Sequence, residues 1–458
     1  KDLTVRGNMS LVPGQNLAMT LAEGFDVSLR DMTIGETALD VASLQLVQPQ
    51  LLTISSEEDA PVMLGDGQLR FQHAGLSHSE FRLEPGILEL KLEETALPTG
   101  AITGIIHAGA PVVMAADTQW NMSEVEGRFI LAADTVKLEG GLVLDNTASR
   151  ISYDLTHDPG SNSGNLAFRS GDQPVQPLAE SLRTLGAPLP PELQLLSGSA
   201  SLTGEARWNK ELQSVSTSIS LNSTGGRFGK AYFSGLESSF YLVLYPAISG
   251  ESDRFSVQVI DLGIPITNLT SRISLATADG KKPVITVSGL KAGMLDGSVT
   301  GNRIRIDLNR RSNSFTLAFA DISLAELVRL QQFEDIDAIG KLSGALPITI
   351  GPAGLSVTKG KASAKAPGGY IRYRPKDGGE LFGSSSMETE MLLKALDDYQ
   401  YEELDAAMAY KPDGQLTMQL QMKGRSPGLH ATRPLHLNLN LDQNILSLIE
   451  SLRAVDGL

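Results

Sequence analysis

The chain has no cysteine, and aromatic residues make up only 5% of its 458 positions. Without cysteine it can form no disulfide, no Cys-ligated metal site and no thiol nucleophile. Positive charge is also scarce, because the formal net charge is −15. That balance argues against a nucleic-acid partner and against broad adhesion to an anionic membrane face, since both need clustered Lys and Arg. The longest apolar run, 101–116, is too short to span a bilayer.

Motifs that carry catalysis are missing as well. The sequence contains no G-x-S-x-G elbow, P-loop, H-E-x-x-H or dinucleotide-binding glycine motif. His73 and His78 are an odd number of residues apart, so on one strand they would point to opposite faces and could not share a metal. We therefore predict that the protein is not an enzyme and holds neither a metal nor a cofactor.

Most of the chain alternates apolar and polar residues with a period of two, between Gly, Asn and Asp turn signals. Clear examples are 214–226, 254–263, 282–290 and 302–322. Within the last, Ile304, Ile306 and Leu308 share one face and the charged residues between them share the other, which indicates one dry and one wet face. Turns about every ten residues predict a mostly β chain, built as a sandwich, a barrel or a long stacked sheet.

The most regular alternation lies near the C-terminus, in 414–424 and 434–441. Its apolar positions are Leu416, Met418, Leu420, Met422, Leu435, Leu437, Leu439 and Leu441, and Leu404 and Met408 continue the pattern upstream. A second sheet could cover such a face. However, Leu and Met are flexible, whereas well-specified β cores favour Val, Ile and aromatic residues. We therefore expect an open, curved sheet that holds acyl chains.

Helical signals are few and short. They predict helices over 176–186, 323–332, 386–399 and 444–454. Ser323 and Glu326 have the spacing of a capping box, and Met391, Leu392, Ala395 and Leu396 form an apolar stripe.

Two of these helices belong to an internal repeat. Residues 178–204 and 324–350 share eight identities over 27 ungapped positions, including Leu-Ala-Glu at the start of each copy and Leu-Ser-Gly further on. A repeated strand–helix–strand module favours a stacked, quasi-linear body. We divide the chain accordingly into an N-terminal part of the groove (1–176), a central repeat (177–322) and a C-terminal repeat with the terminal helix (323–458).

Three stretches of the C-terminal third carry a family resemblance: 342–373, 394–428 and 433–452. Their most telling pieces are Ala366-Pro367-Gly368-Gly369 before an aromatic strand, Pro412-Asp413-Gly414 as a hairpin turn, and Arg433-Pro434 leading into Leu437-Asn438-Leu439 and Asn444. On these residues the chain resembles the YdbH family of AsmA-like Gram-negative envelope proteins, relatives of TamB and YhdP.

The resemblance implies a long, twisted, U-shaped β-sheet of the β-taco type, open along one side and lined by a hydrophobic groove. It implies that phospholipids pass along this groove between the inner and outer membranes. The full-length protein would lie in the periplasm, held in the inner membrane by an N-terminal helix that this sequence lacks. A small outer-membrane lipoprotein, YnbE-like, would bind by β-strand addition near the C-terminal end.

These expectations assign residues to two sites. The predicted lipid-binding residues are Leu404, Met408, Leu416, Met418, Leu420, Met422, Leu435, Leu437, Leu439, Leu441, Ile304, Ile306 and Leu308. The predicted strand-addition residues are Leu435, His436, Leu437, Asn438, Leu439, Asn440 and Leu441, in the last strand.

Two other functions remain open from the sequence. One is a periplasmic scaffold for outer-membrane protein assembly, which the resemblance to TamB allows. The other is a polysaccharide-binding β protein, which needs aromatic side chains grouped on a wet face; Tyr370, Tyr373, Tyr399 and Tyr401 are the only candidates.

Overall fold

A computed structural model describes the backbone of most of the chain. The described residues are 2–6, 9–12, 16–21, 26–34, 37–48, 50–55, 62–78, 81–84, 86–97, 100–115, 118–144, 149–184, 190–277, 282–330, 335–374 and 387–444. The chain divides into two compact units. Unit 1 comprises Lys1–Thr224 and Tyr241–Pro246, and unit 2 comprises Gly225–Phe240 and Ala247–Leu458.

Unit 1 contains eighteen complete strands and one helix among the described residues. The strands are β1 (Asp2–Arg6), β2 (Met9–Val12), β3 (Asn16–Leu21), β4 (Asp26–Ile34), β5 (Thr37–Gln48), β6 (Gln50–Ser55), β7 (Val62–Leu64), β8 (Gly67–His78), β9 (Phe81–Glu84), β10 (Ile87–Leu92), β11 (Thr95–Leu97), β12 (Ile102–Gly109), β13 (Val112–Ala115), β14 (Thr118–Leu131), β15 (Val136–Leu144), β16 (Arg150–Asp158), β17 (Ser163–Pro174) and β18 (Leu193–Asn209). The helix is α1 (Val175–Thr184), and β19 (Glu211–Phe228) and β20 (Ala231–Tyr245) each contribute residues to both units.

Unit 2 contains the remaining strands and two helices. In chain order they are β21 (Ser249–Asp261), β22 (Pro265–Ala276), β23 (Val284–Met294), β24 (Gly297–Asp307), β25 (Asn313–Ser323), α2 (Leu324–Leu330), β26 (Ile336–Ile339), β27 (Lys341–Gly351), β28 (Gly354–Ala364), β29 (Gly369–Tyr373), α3 (Met387–Leu396), β30 (Tyr399–Tyr410), β31 (Gln415–Ser426) and β32 (His430–Asn444).

Antiparallel pairing joins the strands of each unit into an open sheet. In unit 1 the order is β1, β4, β5, β8, β10, β12, β14, β15, β16, β17, β18, and a small second sheet has the order β11, β7, β6, β3, β2. In unit 2 the order is β21, β22, β23, β24, β25, β27, β28, β30, β31, β32. The predicted fold class, a mostly β chain with an open sheet and a few short helices, is confirmed.

Helices α1 and α2 leave the sheet at similar points. The register of β17 against β18 shifts between Ser170 and Gln173, and that of β25 against β27 shifts between Phe319 and Ile322. Such bulges bend a strand and increase its twist, and in both cases a helix begins within a few residues. The repeated strand–helix–strand order is therefore present in the structure, while the three-part division of the chain stays a prediction.

The capping box predicted for α2 is half formed. The Glu326 N–H donates to Ser323 Oγ at 3.3 Å. The reciprocal bond is replaced, because the Ser323 N–H donates to the Leu295 carbonyl and the Glu326 carboxylate accepts from Arg329. This ion pair holds the pKa of Glu326 below its ordinary value.

Helix α3 differs from its prediction on one side, and the last predicted helix is not described. Leu392 and Leu396 pack into the core of unit 2 as expected, and Ala395 is buried. Met391 is 57% exposed, so its assignment to that stripe is wrong; Leu393 packs there instead. The helix predicted over 444–454 lies outside the described residues, apart from Asn444, which ends β32.

Aromatic side chains repeatedly stand opposite a glycine on the neighbouring strand. The pairs are Phe129–Gly104, Tyr153–Gly140, Phe168–Gly204 and Trp208–Gly164 in unit 1, and Phe319–Gly344 in unit 2. At Gly204 an added Cβ would lie 2.4 Å from Phe168 Cζ. The ring thus occupies the space over the glycine and covers its backbone, an arrangement known to compensate glycine in strands.

We predict that Gly204→Ala destabilises unit 1 by about 1–3 kcal/mol, because the new methyl group overlaps both Phe168 and the Ser216 carbonyl. Gly109→Ala is the matched control, since an added Cβ there meets nothing within 4 Å. The control should be neutral or stabilise by up to about 1 kcal/mol. Chemical denaturation measures both, and equal effects of the two substitutions would contradict the glycine–aromatic interpretation.

Candidate functional site

The predicted C-terminal apolar residues align in rows across β30, β31 and β32. Met422 stands opposite Leu404 and Leu437, and Leu420 stands opposite Ala406 and Leu439. A third row contains Met408, Met418 and Leu441. We call the surface formed by these rows the apolar face of unit 2.

The apolar face continues across β28, β27 and β25. Ala406 stands opposite Ala362, Ala362 opposite Gly344, and Gly344 opposite Phe319. On β24 the same face includes Ile304, because a Cβ added to Gly301 would contact both Ile304 and Leu317 of β25 at 3.0 Å. The structure therefore brings both predicted groups, on β24 and on β30–β32, to one face of one sheet.

At the helix end of this face the side chains form a protein core. Leu404 and Met422 are 4% and 2% exposed and pack with Tyr399, Tyr401 and Leu396. Leu435, Leu437 and Leu439 pack against the same cluster from β32, and Met408 and Leu420 pack against it from β30 and β31. The lipid contacts predicted for these seven residues stay a prediction, because here they have protein neighbours.

The face becomes more open toward the opposite end of the strands. Met408, Leu416, Met418, Leu420 and Ile306 are half-buried. Leu441 and Leu308 are 39% and 44% exposed, whereas Ile304 is buried. Along β24, β30, β31 and β32, exposure therefore increases with distance from the helices. The strands of unit 2 end on this side at the hairpin turns 308–312, 351–354 and 411–414, which we call the hairpin rim.

Two buried tyrosines fix the helix end of the face. Tyr399 Oη donates to the Leu435 carbonyl at 2.8 Å, and Tyr401 Oη donates to the Ile339 carbonyl at 2.9 Å. Burial raises the pKa of each phenol to about 12. Because these hydroxyls reach strands beyond their own neighbours, they tie β30 to β32 and to β26.

The burial of the tyrosines argues against a surface on which sugar rings could stack. Tyr373, Tyr399 and Tyr401 are buried, at 6%, 0% and 2% exposure. Tyr370 is covered by the guanidinium of Arg372, 4.0 Å from its ring centre. The four aromatic residues on which the polysaccharide hypothesis depended therefore present no shared ring surface to solvent.

Unit 1 has a comparable apolar face. Phe129, Leu138, Leu155 and Leu166 follow one another across β14, β15, β16 and β17. At one end of β18, Ala200 is buried with α1 residues Val175 and Leu178. Each unit thus has an apolar sheet face with a helix packed at one end.

The opposite face of unit 2 is polar. Gln421 stands between Asp405 and Asn438, and Lys423 stands between Glu403 and His436. Lys423 Nζ lies 3.1 Å from a Glu403 carboxylate oxygen at the surface. Exposed pairs of this kind contribute little to stability, so this face is an ordinary solvated surface.

Sequence reasoning missed the contribution of β25, β27 and β28. Leu317, Phe319 and Leu346 lie on the apolar face, and Phe319 packs against its core. The signal for β25 was available, since Phe315, Leu317 and Phe319 alternate within the predicted strand 302–322. Gly344 and Ala362 carry no such signal, because residues this small do not produce a recognisable alternation of apolar and polar side chains along the strand.

Other kinds of site find little support in the described part of the chain. No group of three His, Asp or Glu side chains there could hold a metal ion. Nor is any helix there long and apolar enough to cross a membrane.

Comparison with protein families gives a match that extends over residues 2–458. The family is described as YdbH-like, intermembrane phospholipid transport protein YdbH. Neither the curated proteins nor the solved structures gave a match.

We predict that Tyr401→Phe reduces the loss of stability in alkali. An unfolded phenol ionises near pH 10 and Tyr401 ionises at about 12, so its contribution is complete below about pH 10 and is lost as pH rises to about 12. Denaturation midpoints of variant and wild type should therefore converge over this range. Tyr232→Phe, at a tyrosine 51% exposed, is the control. Parallel decline of wild type and Tyr401→Phe would contradict the assignment.

Proposed function

Because the chain belongs to the YdbH-like family, which is one of intermembrane phospholipid transport, we propose that it carries phospholipids along its apolar face as a bridge between two membranes. The observation that carries the proposal is the apolar face of unit 2, on which one row of residues runs from Phe319 on β25 to Leu439 on β32. The family is a transport family and not a family of enzymes.

The energetics of lipid movement support this proposal. Each acyl CH₂ exposed to water costs about 0.8 kcal/mol, so an unaided phospholipid meets a large barrier when it leaves a bilayer. A face of half-buried Leu and Met side chains removes most of that exposure. Their flexibility suits chains of differing shape, which a rigid aromatic pocket would not accommodate.

The dimensions of unit 2 fit a path rather than a single-ligand pocket. Its ten successively paired strands, β21 to β32 without the two short side strands, extend for roughly 45 Å across the strand direction. That is wider than one lipid molecule, so several lipids would lie side by side. We propose that each lipid lies with its chains along the strands and moves across them, within an open groove.

The cellular setting follows from the same proposal. A bridge of this kind would lie in the periplasm, and its full-length form would be anchored in the inner membrane. The negative net charge of −15 supports contact with lipid through an apolar face, rather than through general attraction to anionic membranes.

Strand β32 offers a place for a partner at the other membrane. Within unit 2 its described pairing is with β31 alone, so one edge keeps backbone groups for another strand. We propose that a small outer-membrane lipoprotein adds a strand along 435–441, which would lengthen the apolar face by the partner's own alternating residues.

We predict that Met418→Asp abolishes lipid carriage, because it places a charge in the middle of the half-buried row between Met408 and Leu441. The matched control is Gln419→Asp, one residue away on the polar face. The measurement is mass spectrometry of organic extracts from each purified chain, together with phospholipid transfer between donor and acceptor vesicles.

Phospholipid in the wild type and in Gln419→Asp, and none in Met418→Asp, is the expected result. Thermal melting of all three shows whether the fold is kept. If Met418→Asp unfolds, Leu441→Asp at the exposed end of the same row replaces it. If the variant that stays folded, Met418→Asp or its replacement Leu441→Asp, still transfers phospholipid at the full rate, the proposal that lipids travel on the apolar face is refuted.

We also predict that adding the partner lipoprotein slows amide hydrogen exchange over 435–441 in β32. New ladder bonds would protect amides at the edge, whereas the neighbouring β31 already has partners on both sides. Hydrogen-exchange mass spectrometry compares the two strands. Protection elsewhere on the chain, with none in β32, would exclude this edge as the binding site.

A further inference from the structure

The hairpin rim of unit 2 carries apolar and cationic side chains side by side. Ile350 and Leu355 stand opposite each other at the end of β27 and β28, and are 37% and 41% exposed. Ile350 follows Leu346 and Ile348 on the same face of β27, so both exposed residues border the apolar face. Leu308, which directly follows β24, is the equivalent border residue there.

The turns that form this rim are in contact with one another. A Cβ added to Gly351 would lie 3.7 Å from Ser312 Cβ, and one added to Gly354 would lie 3.4 Å from Pro412 Cβ. On the other side, Asn309 accepts from the Lys282 N–H at 2.9 Å and donates to the Lys282 carbonyl at 2.7 Å. The three turns of the rim, with Lys282 next to the first of them, therefore form one continuous border.

The charge of this border is opposite in sign to that of the whole chain. It carries Lys282, Arg310, Arg311 and Lys411, which are all exposed. Its two carboxylates are engaged locally. Asp307 accepts from Asn309 and lies 3.4 Å from Arg310, and Asp413 accepts from the Gln415 N–H.

Of the two rim arginines, Arg311 is the one more available to a ligand. Among the described residues no carboxylate pairs with its guanidinium, and its backbone carbonyl lies 3.9 Å from where a Gly351 Cβ would be. It therefore stands beside the exposed end of β27. Hydrogen bonds to Asn309 hold the pKa of Asp307 below its ordinary value, so that carboxylate stays charged and keeps Arg310 at the border.

We propose that the hairpin rim is a headgroup track, on which Arg310 and Arg311, with Lys282 and Lys411 beside them, bind the phosphate of each glycerophospholipid while its acyl chains lie on the apolar face. This rests on the proposed function. The gradient from buried core to exposed Leu308, Ile350 and Leu355, and then to cations, matches the order of chain end, glycerol and phosphate in a lipid. Guanidinium groups bind phosphate oxygens with paired, charge-assisted hydrogen bonds.

The test compares two lipids that differ only in the headgroup. The delipidated protein is incubated with vesicles containing equal amounts of phosphatidylglycerol and diacylglycerol with the same acyl chains. The protein is re-isolated, and the two bound lipids are quantified by mass spectrometry. The wild type should prefer phosphatidylglycerol, and that preference should fall as salt is raised, since the rim is exposed.

The rim variant is Arg310→Gln with Arg311→Gln. Its ratio of bound phosphatidylglycerol to bound diacylglycerol should be roughly fivefold lower than that of the wild type, which is the scale of two exposed charge pairs. It should still bind diacylglycerol. The matched control is Arg272→Gln with Arg303→Gln, which removes the same charge from the opposite face of the sheet, where both side chains are exposed beside Ser288. Arg311→Gln alone keeps the Arg310–Asp307 pair, and should show part of the loss with an unchanged melting temperature.

The outcomes separate this proposal from the proposed function. If the wild type binds neither lipid, the apolar face does not hold acyl chains, and the proposed function fails together with the track. If it binds both lipids equally, or if the rim and control variants lose the preference to the same extent, the headgroup track is wrong while lipid carriage stands.

Discussion

Strand register is the constraint on which the rest of this structure depends. Because side chains alternate between the faces of a strand, a slip of one residue would move every apolar side chain to the wet face. Here Met418 lies between Met408 and Leu441, and Leu420 between Ala406 and Leu439. One dry face thus results from many separate hairpins that each close in the correct register. The turn at Pro412-Asp413-Gly414 shows how this is set, since the Gly414 N–H donates to Lys411 and Gly414 has a positive φ of 91°.

A sheet of this kind has to protect its backbone with little material above it. The glycine–aromatic pairs are one solution, because a ring that lies over the adjacent glycine covers backbone without rising far from the sheet. Bulges before α1 and α2 are another, since they turn the chain out of the sheet and place a helix at one end of each apolar face. Five aromatic residues thus cover backbone, and flexible aliphatic residues occupy the open part of the face.

Much of the fold could be predicted from the sequence, because period-two alternation and turn residues act locally. The strands around Ile304 and Leu420, the half-formed cap at Ser323 and the hairpin turn at Pro412 are all of this kind. What failed depended on packing between distant elements. Met391 and Leu393 are apolar residues close together on one helix. Only the position of that helix against the core determines that Leu393 is packed and Met391 is exposed. Alternation also could not show that Leu404 and Met422 lie under a helix while Leu441 does not.

The placement of the helices affects the length of acyl chain that could lie on the apolar face in the proposed function. From Met422, buried in the core near α3, to Leu416 beside the hairpin rim, β31 runs for about 20 Å. A single leaflet of hydrocarbon is about 15 Å thick. In the proposed function, the core would therefore limit how far an acyl chain can enter. A chain of ordinary membrane length would lie between core and rim, and a much longer one would have to fold back or extend into water.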